Sequence, residues 1–266
     1  MSLPHFFLDE QILAHEAQAE FPLALSCDDA KHAKVLRLAP GEHIAVIDAD
    51  QDYFECEIIS FDGAVPVVRI AGHLDAAGDL PHVCLVQGLA KGDKMETVIR
   101  HATELGVAQF MPFSAARSIM KVDPKKVAAK TERWQAIAKS AAMQSGQVRL
   151  AHVEQPQKLS GVCEQLASFD AVLVCWEEAP GTACLHDALQ RALAAAGKPL
   201  PSVRIAVVIG PEGGLAPEEV DAFLACNPMA ALVSLGRCIL RTETAGIVAP
   251  ALVLYELGGL GAKGCA

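Results

Sequence analysis

The sequence predicts an α/β protein in which a small β-rich region precedes a larger, mainly parallel sheet covered by helices. Two observations lead to this class. The β-rich runs Glu42–Asp48, Tyr53–Ser60 and Val65–Ala71 lie close together and are separated by acidic residues and glycine. After residue 80, strand patterns alternate with helix patterns, which is typical of parallel strands joined by helical crossovers.

The first region, residues 1–73, is expected to form a small β-barrel from these three strands. One short helix through Ala30–Leu38 should interrupt it, because Ser26 can cap a helix and two aspartates follow in the first turn. The segment Leu74–Pro81 has the small, polar, Gly- and Pro-containing character of a linker. We therefore predict two domains, residues 1–73 and 80–266.

The second region is expected to begin with a strand, His82–Gly88, and a helix, Lys94–Leu105, which Gly106 can end in a left-handed turn. Proline is favoured at the first helical position, so Pro124 predicts the start of a helix that runs to about Met143. The remaining predicted elements are a strand near Val148–Val153, a helix from Leu159, a strand Ala171–Trp176, a helix Leu185–Ala195, a strand Val203–Ile209, a helix from Pro217, a strand Ala231–Leu235 and a helix from Thr242.

Composition and charge limit the classes of protein that fit this chain. Apolar residues make up 52% of it, which excludes a disordered chain. The net charge of -10 argues against a protein coated in positive charge. Residues 112–149 nevertheless contain eight Lys or Arg and two acidic residues, a net charge of +6. An anionic partner could dock there, and a solvated helix face explains the segment equally well.

No pattern in the sequence indicates a membrane segment or a metal site. The longest apolar run, Ala245–Tyr255, is about half of the roughly 20 residues that span a bilayer, and the first residues do not resemble a signal peptide. The nine cysteines form no CxxC pair, and the nine histidines show no HExxH-type clustering. We expect a cytoplasmic protein with reduced thiols and no metal.

Two glycine-containing turns follow predicted strands, at the edge where open α/β sheets bind ligands. The first, Ile209–Leu215 (IGPEGGL), has three glycines that permit positive φ and a close approach of a ligand. The second, Leu235–Ala245 (LGRCILRTETA), has a glycine, an apolar pair and then a polar cluster at a helix start. Two such turns on successive strands favour a shared pocket.

The residues in these turns favour a cationic ligand over a phosphate. Neither GxGxxG nor GxxxxGK[ST] follows a predicted strand, and Glu212 would repel a phosphate but attract a sulfonium or an amino group. Backbone groups around Ile239 and Leu240 could hold a flat apolar ring. The alternatives are a tight connector for the first turn and helix capping for the second, with Thr242 as the cap, Glu243 matching the helix dipole and a solvated arginine.

The motifs IGPEGG and LGxxILRTETA closely resemble the C-terminal signature of the ribosomal RNA small subunit methyltransferase E family, which methylates N3 of uridine in 16S ribosomal RNA and belongs to the SPOUT superfamily. The resemblance covers nearly the whole chain and extends to Lys91–Met95, Ala102–Val107, Arg117–Ser118, Arg133–Trp134, Gln144–Gly146, His32 and Val35–Arg37. Cys238, Gln147 and Met143 depart from the family's pattern, in which arginine, arginine and glutamate are common.

The resemblance implies an N-terminal PUA-like β-barrel, a C-terminal SPOUT domain with a trefoil knot, a homodimer through that domain, and S-adenosyl-L-methionine as cofactor. Its substrate would be 16S ribosomal RNA, naked or in an assembled small subunit. The implied cofactor-binding residues are Leu85, Gly88, Gly210, Glu212, Gly213, Gly214, Leu235, Gly236, Ile239, Leu240 and Thr242. The candidate RNA-binding residues are Lys31, Lys34, Arg37, Arg117, Lys121 and Arg149.

The chemistry of uracil assigns candidate catalytic roles to three side chains. N3 of neutral uracil carries a proton, so methylation requires removal of that proton and stabilisation of the negative charge. Arg241 is the candidate for charge stabilisation, and Glu212 or Glu243 is the candidate base. Two alternatives stay open: a related knotted methyltransferase that acts on another RNA or on ribose 2′-OH, and a non-catalytic RNA-binding protein.

Overall fold

In the computed structural model the chain divides into two compact units. The structure describes residues 3–75, 81–120, 123–177 and 183–260. Unit 1 comprises Met1–Gly78 and Ala142–Leu150, and unit 2 comprises Asp79–Ala141 and Ala151–Ala266. The sequence-based division differs from these units because it placed residues 142–150 in the second domain. Most of the predicted linker, Leu74–Pro81, lies outside the described residues.

Unit 1 contains a five-stranded sheet in the order β1-β3-β4-β5-β2. Its strands are β1 His5–Phe7, β2 Phe21–Pro22, β3 His43–Ile47, β4 Tyr53–Asp62 and β5 Val65–His73. The last three are the predicted strands, and they pair antiparallel in chain order. Strand β4 alternates buried and partly exposed residues over most of its length, so one face of the sheet packs on the apolar core of the unit.

Helix α1, Cys27–Val35, starts where the sequence predicts and ends earlier than predicted. The Ser26 hydroxyl accepts a hydrogen bond from the backbone N–H of Asp29 at 3.1 Å, which is the predicted N-cap. The helix stops at Val35, three residues before the predicted end, and Arg37 then has a φ of 55°. A left-handed residue at that point breaks the helical path.

Unit 2 is an eight-stranded parallel sheet with helices against it. Its strands are β6 His82–Gly88, β7 Gln109–Ser114, β8 His152–Val153, β9 Gln157–Lys158, β10 Ala171–Cys175, β11 Ala183–Cys184, β12 Arg204–Ile209 and β13 Ala230–Ser234. Its helices are α2 Lys94–Leu105, most of α3 Val127–Ser145, α4 Leu159–Leu166, α5 Leu185–Ala196, α6 Pro217–Ala225 and α7 Thr242–Glu256. The strand order is β11-β13-β10-β12-β6-β7-β8, with β9 also paired to β7, and all the pairings are parallel. The predicted α/β class with a parallel sheet is confirmed.

The central strands are buried on both faces, which explains their continuous apolar sequences. In β12, Ile205 and Val207 belong to a core cluster shared with α2, α5 and α7. The alternate residues Ala206 and Val208 belong to a second cluster shared with α4 and α6. Helices therefore cover both faces of the sheet.

Some predicted elements of unit 2 have different bounds in the structure. The strand predicted near Val148–Val153 is limited to His152–Val153. Pro124 starts a short 3-10 turn, Pro124–Lys126, before α3 begins. Within the described ranges, no helix combines the length and apolarity needed to cross a bilayer. No grouping of His, Cys, Asp or Glu side chains suited to a metal ion occurs in the same part of the chain.

Candidate cofactor pocket

A cavity of about 450 Å³ opens at the carboxyl edge of the unit 2 sheet, beyond β10, β12 and β13. These three strands are parallel, so the turns that follow them meet at one edge. Both predicted glycine turns contribute to the walls. The lining residues are Lys94, Cys175, Trp176, Glu177, Ile209, Gly210, Pro211, Glu212, Gly214, Val233, Ser234, Leu235, Gly236, Arg237, Cys238, Ile239, Leu240, Arg241, Thr242 and Ala245.

The structure brings together most of the cofactor-binding residues that the sequence nominated. Those that line the cavity are Gly210, Glu212, Gly214, Leu235, Gly236, Ile239, Leu240 and Thr242. Leu85 does not line it, because its side chain is fully buried in the core cluster beneath the sheet edge. Gly88 and Gly213 also lie outside the lining and pack against neighbouring loops.

Three glycines allow the segments around the cavity to approach closely. A Cβ at Gly88 would lie 2.5 Å from the backbone nitrogen of Pro211, so the end of β6 tolerates no side chain there. A Cβ at Gly213 would lie 2.9 Å from the backbone oxygen of Arg117, in the loop after β7. Gly214, with φ of 70°, has the Glu177 carboxylate directly against it. Side chains at these positions would force the loops apart.

A buried hydrogen-bond network holds the first turn against the start of α7. The Thr242 hydroxyl donates to the carbonyl oxygen of Gly210 at 2.6 Å. The Gln87 amide donates to the Thr242 hydroxyl at 2.9 Å and to the carbonyl oxygen of Gly88 at 3.2 Å. Gln87 is 1% exposed, so these bonds are shielded from water. The sequence had suggested Thr242 as a helix cap, which is wrong: Arg241 is the N-cap residue, and the Thr242 hydroxyl bonds to the turn instead.

The ammonium of Lys94, the first residue of α2, lies between two carboxylates from the two turns. Its Nζ is 3.2 Å from Oε1 of Glu212 and 3.1 Å from Oε2 of Glu243. The same Glu212 oxygen accepts the backbone N–H of Lys91 at 2.9 Å. Glu212 lines the cavity, whereas Glu243 does not. The two candidate bases therefore occupy different positions relative to the pocket.

Both carboxyl groups are held in the ionised form. Burial acts to raise the pKa of Glu212, but the backbone N–H of Lys91 and the Lys94 ammonium outweigh it, and the pKa lies below the ordinary value. The backbone N–H of Glu243 lowers the pKa of its own carboxyl group more than burial raises it. The Lys94 ammonium lowers this pKa further. Contact with Glu243, and then with Glu212, raises the pKa of Lys94 although burial opposes it.

The rim of the cavity carries Arg241, the candidate for charge stabilisation, and an apolar side chain. Arg241 is exposed at the N-cap of α7 and lines the cavity. Ile239 lines it too and is 83% exposed. A guanidinium at this position is available to a substrate that approaches from solvent.

Several of the lining residues are not candidates from the sequence, among them Lys94, Trp176 and Glu177. Trp176 and Glu177 follow β10, and Lys94 lies in the segment Lys91–Met95, which resembles the family but has no candidate site residue. The position of Trp176 and Glu177 at a strand end, next to the two glycine turns in the sheet, is the signal that could have found them. The indole N–H of Trp176 is buried and has no hydrogen-bond partner among the described residues. Among the described residues it is thus an unpaired donor beside the cavity.

The candidate RNA-binding residues lie in both units. In unit 1, Lys34, Arg37 and Arg149 are exposed, and Lys31 forms an ion pair with Asp28 at 2.9 Å. In unit 2, Arg117 is exposed and donates from Nη1 to the carbonyl oxygen of Gly213 at 3.3 Å. Lys121 lies outside the described residues.

Comparisons with known proteins agree in pointing to one family. A family model described as the RNA methyltransferase domain matches residues 78–254. The ribosomal RNA small subunit methyltransferase E of Bacillus subtilis (strain 168) is 35% identical over 227 residues, 84% of this chain and 85% of the relative. The protein of that name from Mycobacterium bovis is 34% identical, over 84% of this chain and 82% of the relative. A crystal structure of a ribosomal RNA small subunit methyltransferase E from Neisseria gonorrhoeae bound to S-adenosyl methionine matches with a TM-score of 0.76 and 25% identity, over 95% of this chain and 97% of that chain.

Proposed function

The chain belongs to the ribosomal RNA small subunit methyltransferase E family, and we propose that it is an S-adenosylmethionine-dependent enzyme that methylates N3 of a specific uridine in 16S ribosomal RNA. One observation carries the proposal: both glycine turns meet at one cavity, with Arg241 and Glu212 in its wall. Ribosomal subunits as substrate would place the protein in the cytoplasm.

The residues around the cavity fit S-adenosylmethionine. Its volume of about 450 Å³ lies in the range typical of small-molecule sites. Apolar side chains, among them Val233 and Leu240, can pack on a flat adenine ring, and the indole N–H of Trp176 offers a donor that has no partner among the described residues. The carboxylates of Glu177 and Glu212 favour the cationic parts of this cofactor. The cofactor-binding residues nominated from the sequence remain part of the proposal.

Arg241 would stabilise the charge that develops on the uracil ring. When bound, S-adenosylmethionine supplies a methyl group on a sulfonium, so N3 must be placed in line with it. Loss of the N3 proton leaves negative charge on N3 and the two carbonyl oxygens. A planar guanidinium at the rim of the cavity can bond to two of these atoms at once.

Glu212 is the better candidate for the base that takes the N3 proton. Glu212 lines the cavity, whereas Glu243 does not, although both contact Lys94. The lowered pKa of Glu212 keeps it ionised at neutral pH, which a proton acceptor requires. The substitution Glu212→Gln removes the base and keeps the turn in place, because an amide oxygen can still accept the backbone N–H of Lys91.

RNA is proposed to bind through exposed basic residues of both units. N3 lies on the Watson–Crick edge, so the target uridine must be unpaired or flipped to react. Lys31, Lys34, Arg37 and Arg149 of unit 1 and Arg117 and Lys121 of unit 2 are the proposed phosphate contacts.

Three architectural features also remain proposals. The family resemblance supports a PUA-like barrel for residues 1–73, a trefoil knot within residues 80–266, and a homodimer through the second domain. The close packing of Gly88 on Pro211 is what a knotted segment would require. Leu252 and Tyr255 of α7 are exposed, Tyr255 to 66%, and offer an apolar surface to a second copy.

A methyl-transfer assay tests the proposed function. Small subunits from cells that lack the endogenous enzyme are incubated with tritiated S-adenosylmethionine and the protein, and the nucleosides are analysed by mass spectrometry. We expect N3-methyluridine with the wild-type chain and a loss of about 100-fold or more with Arg241→Ala and with Glu212→Gln. Methylation on ribose 2′-OH would contradict the proposed position, and no binding of S-adenosylmethionine would favour a non-catalytic RNA-binding protein.

A further inference from the structure

Lys94 occupies a position that local helix rules disfavour. It is the first residue of α2, where the partial positive charge of the helix dipole repels an ammonium group. Positions that break a local rule are frequently functional. Here the two carboxylates of Glu212 and Glu243 compensate for the repulsion, at 3.2 Å and 3.1 Å.

The three residues come from three segments that surround the cavity. Lys94 begins α2, Glu212 lies in the turn after β12, and Glu243 lies in the first turn of α7. Their side chains are between 22% and 29% exposed, so water screens the contacts only in part. The lysine thus ties the start of one helix to both turns that form the pocket.

We propose that Lys94 is a positioning residue for methyl transfer: its ammonium neutralises Glu243 and holds the Glu212 carboxylate, ionised and fixed, at the wall of the cofactor pocket. This inference rests on the proposed function, because it concerns the same pocket. Lys94 acts through Glu212 and is assigned no direct role in the reaction.

The remaining charged groups around Glu212 determine how its pKa responds to the loss of Lys94. Glu177, Arg237 and Arg241 line the same cavity, and Lys91 contributes only its backbone N–H. Without the ammonium, Glu212 would face Glu243 with no cation between them. The backbone N–H groups of Lys91 and Glu212 would still lower the pKa of Glu212, but the loss of the ammonium and the like charge of Glu243 would raise this pKa relative to that in the wild-type chain.

The pH dependence of cofactor binding is the readout. In the wild-type chain Glu212 stays ionised down to its lowered pKa, so its attraction for a cationic cofactor is present throughout pH 5–8. In Lys94→Met, the pKa of Glu212 is higher than in the wild-type chain, so more of the carboxylate is protonated at the acidic end of this range. We expect the ratio of the Kd of Lys94→Met to that of the wild-type chain to rise from about threefold at pH 8 to about tenfold at pH 5, a further factor of about three that corresponds to about half a pKa unit.

Calorimetric titration of S-adenosylmethionine into each full-length variant at pH 5, 6.5 and 8 makes the test. Lys94→Arg keeps the charge and should keep the ratio near one. The double substitution Lys94→Met/Glu243→Gln also removes the negative charge of Glu243. Its Kd relative to that of the wild-type chain should therefore change little between pH 5 and pH 8. Lys198→Met is the matched control, because it also breaks a Lys–carboxylate ion pair of unit 2, that with Asp170 at 2.6 Å.

Two results would overturn the inference in different ways. A ratio that is the same at all three pH values would mean that Lys94 has only a structural role, even if the affinity falls. A wild-type chain that does not bind S-adenosylmethionine would instead refute the proposed function, and the role of Lys94 with it.

Discussion

Replacing Thr242 with valine removes the central bond of the pocket while nearly preserving side-chain volume. The Thr242 hydroxyl donates to the carbonyl oxygen of Gly210 at 2.6 Å and accepts from the Gln87 amide at 2.9 Å. Thr242 is 6% exposed, so water cannot readily replace either bond. Valine fills the same space with a methyl group and satisfies neither partner.

The expected loss of stability depends on which partner is left unsatisfied. The Gln87 amide keeps the carbonyl oxygens of Gly88 at 3.2 Å and Gly210 at 3.4 Å. Among the described residues, the Gly210 oxygen loses its 2.6 Å bond from Thr242 and keeps the 3.4 Å bond from Gln87. Leaving a buried polar group unsatisfied costs about 1–3 kcal/mol, and we take about 2 kcal/mol for this site. For a unit of this size, about 2 kcal/mol lowers Tm by about 4–8 °C.

Thermal unfolding followed by circular dichroism measures this loss directly. Thr244→Val is the matched control, because Thr244 lies on the same helix and is exposed. The control makes the same Thr-to-Val change in α7 but leaves the hydrogen bonds among Thr242, Gln87 and Gly210 in place. If Thr242→Val and Thr244→Val have the same Tm, the network contributes no net stability and the reasoning is refuted.

Three further perturbations test other parts of the structure. Gly88→Ala places a Cβ against the turn after β12 and should lower the free energy of unfolding, measured in urea, by about 1–3 kcal/mol or more. In the control Gly72→Ala, the Cβ meets no atom within 4 Å, so the free energy of unfolding should hardly change. The hydrogen bond to Glu256 raises the pKa of His186. Stabilisation of the fold by this pair is therefore present at pH below 6.5 and is lost as the pH rises through the raised pKa. NMR titration should show a lower pKa of His186 in Glu256→Gln. For RNA binding, Lys34→Ala should reduce the magnitude of the slope of log association constant against log salt concentration by about 0.7–0.9. An unchanged slope would mean that Lys34 does not contact a phosphate.

The larger elements of unit 2 could be predicted because their signals are local. The bounds of β6 and α2 match the predicted His82–Gly88 and Lys94–Leu105. A strand buried on both faces reads as an uninterrupted apolar run, and Gly106, with φ of 104°, marks the end of the helix. Each of these features is complete within a few residues of sequence.

The short strands could not be predicted, because their partners define them. Strands β2, β9 and β11 have two residues each, too few for a pattern with a period of two. Strand β11, for example, is defined by its pairing with the end of β13. The assignment of residues 142–150 to unit 1 likewise depends on contacts distant in sequence.

The candidate site divides in the same way. The two glycine turns were visible as motifs, and they form most of the cavity wall. The pairing of Lys94 with Glu212 and Glu243 was not visible, because it joins residues from three distant segments. The same limit applies to Thr242, whose sequence position suggested a cap while its partner, Gly210, lies 32 residues earlier.

The position of β12 in the sheet sets the order in which unit 2 can fold. Strand β12 lies between β6 and β10, with six residue pairs to the first and five to the second. Both neighbours precede it in the chain, so during synthesis they emerge from the ribosome with no strand to join them. A nascent chain that ends before Arg204 therefore holds one sheet fragment around β6 and β7 and an isolated β10, because both sheet neighbours of β10, β12 and β13, come later in the chain. Closure of this long-range contact should be a slow step. A chain released at that length would depend on chaperones to stay soluble.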